Sequence, residues 1–409
     1  MYALLFGNHG VSTGQISTLF IIWSATAFVC EIPSGAWADT IDRRHLLVLS
    51  ALIYGVGFSS WMLLPTYVGF ALGFMLWGLS SAIMSGTFES LIYDELSERG
   101  VESEYPRLIG WAHATAMVAN LLATVSAAPL LVWGGFALVG WTSVAITGLQ
   151  AVLAATLPVS MRARRPNAAV HRADESHVHE VVEESERLAA RYLAMLRAGL
   201  HEASTSVQVR RVVVIAAVLI GLTAYDEYFP LIARAHGVTA STIPVLIGIT
   251  VVGQVIGTAL AGRTSRMSPG VMGSVVFVGA LLISGGALVG PVELQWLGFI
   301  AIGVGYGLLN NAMLVAEARL QQVITGPARA TVTSVHGFAT EVFAVAVYGS
   351  FVLLSGVLSV PVVVALLGVP IAAIALGVAR KFPPAPVLRH GVDEEGGPLP
   401  DKSRRGGAD

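Results

Sequence analysis

One acidic residue lies deep inside a long apolar stretch of this sequence. Glu341 comes about eleven residues into an apolar segment that starts near 330, roughly 16 Å along a helix. At that depth in a membrane, an ionisable group costs at least about 2.5–3.5 kcal/mol. Its chemistry would be reversible proton binding or binding of a cationic group, and Ser334 lies on about the same helix face. The alternative is a buried acid that is hydrogen-bonded to a neighbouring helix.

Two adjacent acids form a second candidate site. Asp226 and Glu227 lie among aromatic residues, namely Tyr225, Tyr228 and Phe229. Adjacent residues differ by about 100° around a helix, so at most one of the two acids faces a central cavity, and we prefer Asp226. Two alternatives stay open: an outer aromatic belt whose acids snorkel outward, and a contact between Glu227 and Arg234 at an outer lip.

Two further polar residues complete the set of candidates for proton coupling or substrate binding. Glu31 precedes Pro33, which should kink its helix, and lies about 12 Å from Asp39 along the axis. A structural role and a substrate contact both remain open for Glu31. Asn310 falls late in an apolar segment, where such amides often join helices at about 0.6 kcal/mol each or line a cavity.

The composition indicates the elements that must position these residues. Of the 409 residues, 55% are hydrophobic and only 12% are charged, and the mean hydropathy is +0.72. Soluble domains carry roughly 25% charged residues, so an ordinary cytosolic enzyme is excluded. A single cysteine excludes an internal disulfide and a cysteine-ligated metal site. The net charge of −2 predicts no nucleic-acid partner. The class of protein that remains is a polytopic membrane protein, which is in contact with the lipid bilayer.

Windows of about 20 apolar residues, the length that crosses a bilayer, predict eleven full spans. Open sheets cannot cross lipid, so the fold class is an all-α polytopic membrane protein. The spans are placed at about 16–38, 46–64, 67–88, 110–132, 136–157, 212–232, 242–262, 270–289, 294–316, 330–354 and 357–379.

The basic residues cluster on alternate loops and thereby predict the orientation. Arg43 and Arg44 follow the first full span, the long loop 158–211 is rich in arginine, and further lysine and arginine residues lie in the tail from Arg380 to Arg405. Only Arg234 falls on the opposite side. The long loop and the C-terminal tail are therefore expected in the cytoplasm.

An internal repeat relates the two parts of the chain. His9-Gly-Val-Ser12, Ile16, Leu19 and Gly35 recur 227 positions later as His236-Gly-Val-Thr239, Ile243, Leu246 and Gly262. The repeat keeps one in–out sense, as in transporters built from two parallel halves. By this offset, the span near 212 should have a partner that starts before Met1. We therefore expect a truncated first helix, and the alternative is a true eleven-span protein.

The repeat and the charges divide the chain into four parts. An N-terminal transmembrane half covers 1–157, and a C-terminal half covers 212–379. The polar linker 158–211 shows apolar residues at three- and four-residue steps between 178 and 200, which predicts an amphipathic helix at the inner leaflet. A merely solvated tether is the alternative. The tail 380–409 has the composition of a disordered segment.

The turn after the first full span reads Gly35-Ala-Trp-Ala-Asp39-Thr-Ile-Asp-Arg43-Arg44. It resembles the signature G-x-L-A-D-R-x-G-R-[KR] of the major facilitator superfamily (MFS), with Trp37, Thr40 and Asp42 as departures. The resemblance implies an MFS fold of two six-helix halves, here eleven full spans plus a remnant of helix 1. It also implies a cytoplasmic gate at this turn. We assign Gly35, Asp39, Arg43, Arg44 and Arg107 to the gate, and we expect Glu89 and Asp94 to pair with Arg43, Arg44 or Arg107.

The resemblance further implies a secondary active transporter that works by alternating access, without a cofactor or an enzymatic activity. We expect a monomer that uses protons to export a small amphipathic or hydrophobic compound. Two features of related exporters are absent from the sequence: a basic residue within 67–88, and the glycines of a common antiporter motif near Pro129. An uptake permease for a small metabolite and a non-transporting sensor or scaffold remain alternatives. The composition is rich in arginine, alanine and glycine, which is typical of a GC-rich bacterial genome. We therefore expect the protein in a bacterial inner membrane.

Overall fold

The structure is a computed structural model that describes residues 1–157, 207–323 and 329–382. The described residues are helical almost throughout, as the apolar spans predict. In the first described range, which we call the N-terminal group, the helices are α1 (Tyr2–Asn8), α2 (Thr13–Thr40), α3 (Arg43–Leu63), α4 (Tyr67–Met84), α5 (Thr87–Glu98) and α6 (Tyr105–Ala155).

The remaining described residues form the C-terminal group. Its helices are α7 (Val207–Gly221), α8 (Phe229–Ala235), α9 (Ile243–Thr264), α10 (Pro269–Ala287), α11 (Gln295–Val323), α12 (Arg329–Leu354) and α13 (Val360–Lys381). The predicted linker helix falls in 158–206 and the predicted disordered tail mostly in 383–409, both outside the described residues.

The helix α6 is two membrane crossings joined at a reversal. Its 51 residues would extend about 76 Å, far beyond a 30 Å bilayer core. Gly134 and Gly135 break the helix, and Gly135 has a φ of 62°, which glycine adopts without a Cβ clash. The reversal separates the predicted spans 110–132 and 136–157.

Side-chain contacts support this reversal. Before it, His113 lies 4.0 Å from Glu89; after it, Gln150 lies 3.9 Å from the Met84 sulfur. Both contacts are therefore at the same end of the molecule. Ten described segments are long and apolar enough to cross a membrane, and one of them contains all of α6. Counting α6 twice gives the eleven predicted crossings.

The predicted span 212–232 is not one continuous α-helix. It consists of α7, a 3₁₀ turn over Leu222–Tyr228, and α8. Pro230 has no backbone N–H to donate, and the N–H of Phe229 bonds to the carbonyl of Asp226, three residues earlier. The tighter turn changes the directions of the side chains at 226 and 227.

The helices pack mainly within their own group. In the N-terminal group, α2 packs on α4, and α3 packs on α4 and on α6. In the C-terminal group, α9 packs on α11, α10 packs on α11 and α13, and α12 packs on α7. The two groups meet along α2 with α12, along α6 with α9, and where α1 touches α8. These shared surfaces place residues of both groups beside one another.

Candidate functional site

Glu341 lies at the contact between the two groups of helices. Ser24 of α2 donates a hydrogen bond to the Glu341 carboxylate of α12. Ser24 follows the start of α2 by eleven residues, about 17 Å, and Glu341 follows the start of α12 by twelve, about 18 Å. Both positions are near the middle of a 30 Å apolar layer. The acid is therefore held near mid-membrane by the opposite group.

Aromatic contacts lie on both sides of this hydrogen bond along α2 and α12. Phe20 and Tyr348 lie with their ring centroids 5.3 Å apart, and Phe28 and Phe338 lie 5.6 Å apart. Ser24 is only 8% exposed. The polar contact is thus enclosed between two aromatic pairs, and the groups cannot separate here without breaking it.

The two adjacent acids point in different directions. Asp226 accepts a 2.5 Å hydrogen bond from Tyr306 of α11, within its own group. Glu227 accepts a hydrogen bond from Tyr2 of α1, in the opposite group. The structure therefore reverses our preference for Asp226 at the central interface, because the 3₁₀ turn rotates successive residues by about 120° rather than 100°.

Glu227 and Arg234 do not form the alternative ion pair with each other. Arg234 instead donates a 3.1 Å hydrogen bond to the backbone carbonyl of Leu4. Tyr228, next in the chain, donates a 2.7 Å hydrogen bond to Ser17 of α2. Its ring stacks on Phe351, with centroids 3.4 Å apart. The predicted outer end is thus closed by polar contacts between the groups.

Asn310 joins two helices of the C-terminal group. Its amide nitrogen donates to Thr258 at 2.7 Å and to the carbonyl of Gln254 at 3.3 Å, and the residue is only 4% exposed. Both donor hydrogens can therefore be used in the contact between α9 and α11. This placement favours the helix-joining alternative for Asn310 over cavity lining.

Two predicted gate residues form an ion pair inside the N-terminal group. Arg43 at the start of α3 pairs with Asp94 of α5 and donates a 3.0 Å hydrogen bond to the carbonyl of Ser90. Arg44 donates its backbone N–H to Asp42, the N-cap residue of α3, at 2.8 Å. The arginine–aspartate pair fixes α5 against α3 at the predicted cytoplasmic end.

Other predicted gate residues do not join this pair. Arg107 binds Glu104, three residues earlier, at 3.3 Å, and Glu89 has His113 as its neighbour. Both pairs are exposed, and such pairs contribute about 0–1 kcal/mol.

The gate turn and Glu31 lie at the same end of α2. Gly35 and Asp39 lie in its last turns, and their side chains fall outside what the structure describes. Glu31 is exposed, and its carbonyl accepts a 2.9 Å hydrogen bond from Ser34. Glu31 follows Ser24 by seven residues, about 10 Å along the axis.

An aromatic cluster between α1, α2, α3 and α4 was not predicted from the sequence. Trp77 stacks on Phe74 with centroids 5.8 Å apart and also contacts Trp23 at 5.1 Å and Tyr54 at 5.3 Å. The available signal was aromatic residues at three- and four-residue steps on α3 and α4, which places them on one face. Aromatic pairs of this kind contribute about 0.5–1.5 kcal/mol each beyond burial, so the cluster stiffens this part of the N-terminal group.

Sequence comparison identifies the family of this helical membrane protein. A family model described as Major Facilitator Superfamily matches residues 1–347. The chain belongs to the Major Facilitator Superfamily. Comparison with curated proteins finds no match. Membership of the MFS gives the chain a transporter fold and separates it from enzymes.

Solved MFS structures share this fold at low sequence identity. A bacterial homologue of the human lysosomal transporter Spinster, in an inward-facing and unoccupied conformation, has a TM-score of 0.64, with 15% identity over 92% of this chain and 91% of that one. The nucleoside transporter NupG has a TM-score of 0.61, with 12% identity over 91% of each chain. A D-xylose-proton symporter has a TM-score of 0.60, with 15% identity over 93% of this chain and 91% of that chain. At this level of identity, the similarities show the fold alone.

Proposed function

We propose that this MFS protein exports a small amphipathic or hydrophobic compound across a bacterial inner membrane in exchange for protons. The observation that carries the proposal is the hydrogen bond between Ser24 and Glu341. It joins the two groups of helices near mid-membrane through a side chain that can bind and release a proton. A proton transfer at Glu341 therefore acts directly on a contact between the groups.

The transport cycle requires the two groups to rock about their shared surface. Contacts along α2 and α12 run from Gly14 with Ser355, the residue after the end of α12, to Phe28 with Phe338. The first of these pairs lies at the predicted outer end, so we assign the described conformation to a state that is closed outside. Opening toward the outside then requires these contacts, including the one at Glu341, to separate.

Proton binding at Glu341 would favour that separation. An ionised carboxylate in an apolar layer is stabilised by its hydrogen bond, and losing the bond costs about 1.5–3 kcal/mol for a charged group. A protonated carboxylic acid loses much less when it leaves the contact, because the neutral form tolerates apolar surroundings. A proton from outside would bind Glu341 as the cavity opens toward the outside. The outer end would then close with the proton bound, and release of the proton to the inside would restore the contact between ionised Glu341 and Ser24.

The remaining parts of the chain fit this cycle. We propose that 1–157 and 212–379 are the two moving halves, with the linker 158–211 and the tail 380–409 on the cytoplasmic side. In the N-terminal half, the Arg43–Asp94 pair would keep α3 and α5 moving as one body. The protein would work as a monomer, because one chain supplies both sides of the Glu341 contact.

Proton movement in everted membrane vesicles tests this proposal. Addition of a transported compound should dissipate an imposed proton gradient with the unchanged protein, and a chemically broad compound panel identifies such a compound. Glu341→Gln should abolish the response. The matched control is Glu293→Gln, which makes the same change at an exposed acid in the turn Val292–Leu294.

Two results would contradict the proposal. One is a full proton response in the Glu341→Gln variant. The other is the absence of any response across the panel when folded protein is present in the vesicles, which would shift the conclusion to uptake or to another coupling ion.

A further inference from the structure

A small cavity lies beside Glu341, at the contact between α2 and α12. Its volume is about 230 Å³. Besides Glu341, its walls are Ser24, Ala25 and Phe28 of α2 and Phe338, Val342 and Val345 of α12. All of these residues except Ser24 are apolar, so a single carboxylate faces an otherwise apolar space.

The side of α12 that forms the cavity faces away from the C-terminal group. On α12, Thr340 and Phe343 lie against Gly221 of α7. Val342 follows Thr340 by two residues, which places it about 160° away around the helix. The side chain of Val342 is 48% exposed, and that of Phe338, one turn earlier, is 39% exposed.

The same side of α2 is also exposed. Ala25 is exposed, and Val29, one turn further along, is 65% exposed. These residues lie within a crossing, and exposed apolar side chains there are typical of a surface that contacts acyl chains. The cavity therefore opens on an exposed, apolar side of both helices and has Glu341 in its wall.

The carboxylate has capacity for a further partner. Among the described residues, Ser24 donates a hydrogen bond to Glu341. No described arginine or lysine side chain forms an ion pair with Glu341. An ionised carboxylate offers about four acceptor positions. The rings of Phe28 and Phe338, tilted by 51°, add π-faces that attract cations within about 6 Å.

We propose that this cavity is a lateral access site, through which a lipophilic cation reaches Glu341 from the bilayer. The inference rests on the proposed export function and names the chemical class of its substrate. The cation carries its positive charge on an ammonium or phosphonium centre with apolar substituents. The charge is complementary to Glu341, and the substituents contact the aromatic and aliphatic walls.

Equilibrium binding of radiolabelled tetraphenylphosphonium to the full chain in lipid nanodiscs tests this site. The unchanged protein should bind the cation saturably. Glu341→Gln should weaken binding at least tenfold, and Glu341→Asp should restore part of it because the charge returns. Equal affinity in the unchanged protein and Glu341→Gln, or no saturable binding to the unchanged protein, would overturn the proposal.

A pair of tryptophan variants tests the route of access. Val342→Trp fills the mouth of the cavity and should slow association of the cation at least fivefold. Leu353→Trp is the matched control, since Leu353 lies three turns further along α12 and is 80% exposed on the same side. Equal association rates in the two tryptophan variants would rule out lateral access.

The outcomes separate this inference from the proposed function. If neutral compounds elicit the proton response in vesicles while the cation fails to bind, export stands and the lateral cation site is overturned. If the cation binds through Glu341 but elicits no proton movement, the site stands and proton-coupled export fails. Size-exclusion chromatography of each variant confirms that a loss of binding is not a loss of folding.

Discussion

At the scale of single residues, hydrogen bonds divide the polar side chains into two sets. Asp226 and Asn310 bond within the C-terminal group, to Tyr306 and Thr258. Glu227 and Glu341 bond to the opposite group, so only this second set must change partners when the groups move. Polar residues of the first set should therefore affect stability, whereas those of the second should affect transport.

A substitution at Asn310 tests this division. Asn310→Ala removes both hydrogen bonds to α9, leaves the Thr258 hydroxyl with fewer partners, and should lower the free energy of unfolding by about 1 kcal/mol. Thermal unfolding of the purified protein measures the change. The same substitution at exposed Asn120 of α6 is the control and should leave the melting temperature unchanged. A loss of transport at unchanged stability would instead assign Asn310 to the substrate site.

The sequence indicates how deep a polar residue lies in the membrane better than it indicates the partner of that residue. The depth of Glu341 follows from its distance along one apolar span, which is local information. Its bond to Ser24 joins residues 317 positions apart and depends on how the groups pack. The directions of Asp226 and Glu227 were predicted for an α-helix, and the 3₁₀ turn over Leu222–Tyr228, just before Pro230, changed them.

At the scale of helices, close backbone contact replaces side-chain burial as the main attraction between α9 and α11. Gly253 lies against Gly303, and Gly257 lies against Gly307, so the two backbones touch at two successive turns. Lipid tails are as apolar as leucine, so membrane helices gain little from burial and associate through such close packing. Asn310 and Asn311 add hydrogen bonds at the same contact.

One pair of glycine substitutions on α9 tests the close contact. In Gly253→Ala, the new methyl group would collide with the backbone carbonyl of Gly303, so the helices must separate. We expect a loss of about 1–3 kcal/mol in the free energy of unfolding, measured by thermal or denaturant unfolding. Gly262→Ala on the same helix meets no atom within 4 Å and should be neutral or slightly stabilising. Equal effects at both positions would exclude a specific glycine contact.

At the scale of the whole molecule, two groups of helices share one surface that is closed at the predicted outer end. Hydropathy predicted the crossings well because each crossing must be apolar along its whole length. Even the 51 residues of α6 divide into the two predicted spans, at Gly134 and Gly135. The contact surface between the groups was not predictable in detail, because no local pattern records which distant helices meet.

A cross-link at the outer end tests whether this closure must open during transport. Gly14 and Ser355 lie close enough for a disulfide, since a Cβ atom at Gly14 would lie 3.3 Å from the Ser355 oxygen. In a Cys30→Ser background, the pair Gly14→Cys and Ser355→Cys should cross-link on oxidation and lose transport, and reduction should restore it. Each single cysteine variant should transport normally under both conditions. Full transport by the cross-linked protein would contradict alternating access through this end.

The central claim is that the proton carried by Glu341 couples the gradient to movement of the substrate. The most direct measurement compares two modes in proteoliposomes that contain the purified full chain: accumulation of a transported compound driven by an imposed pH gradient, and exchange of labelled for unlabelled compound without a gradient. For Glu341→Gln, we predict that gradient-driven accumulation is lost and that exchange persists when the compound is supplied at a concentration that saturates the variant, because a permanently neutral side chain leaves rocking possible but carries no proton. Gradient-driven accumulation by Glu341→Gln at the unchanged protein's rate would contradict the account.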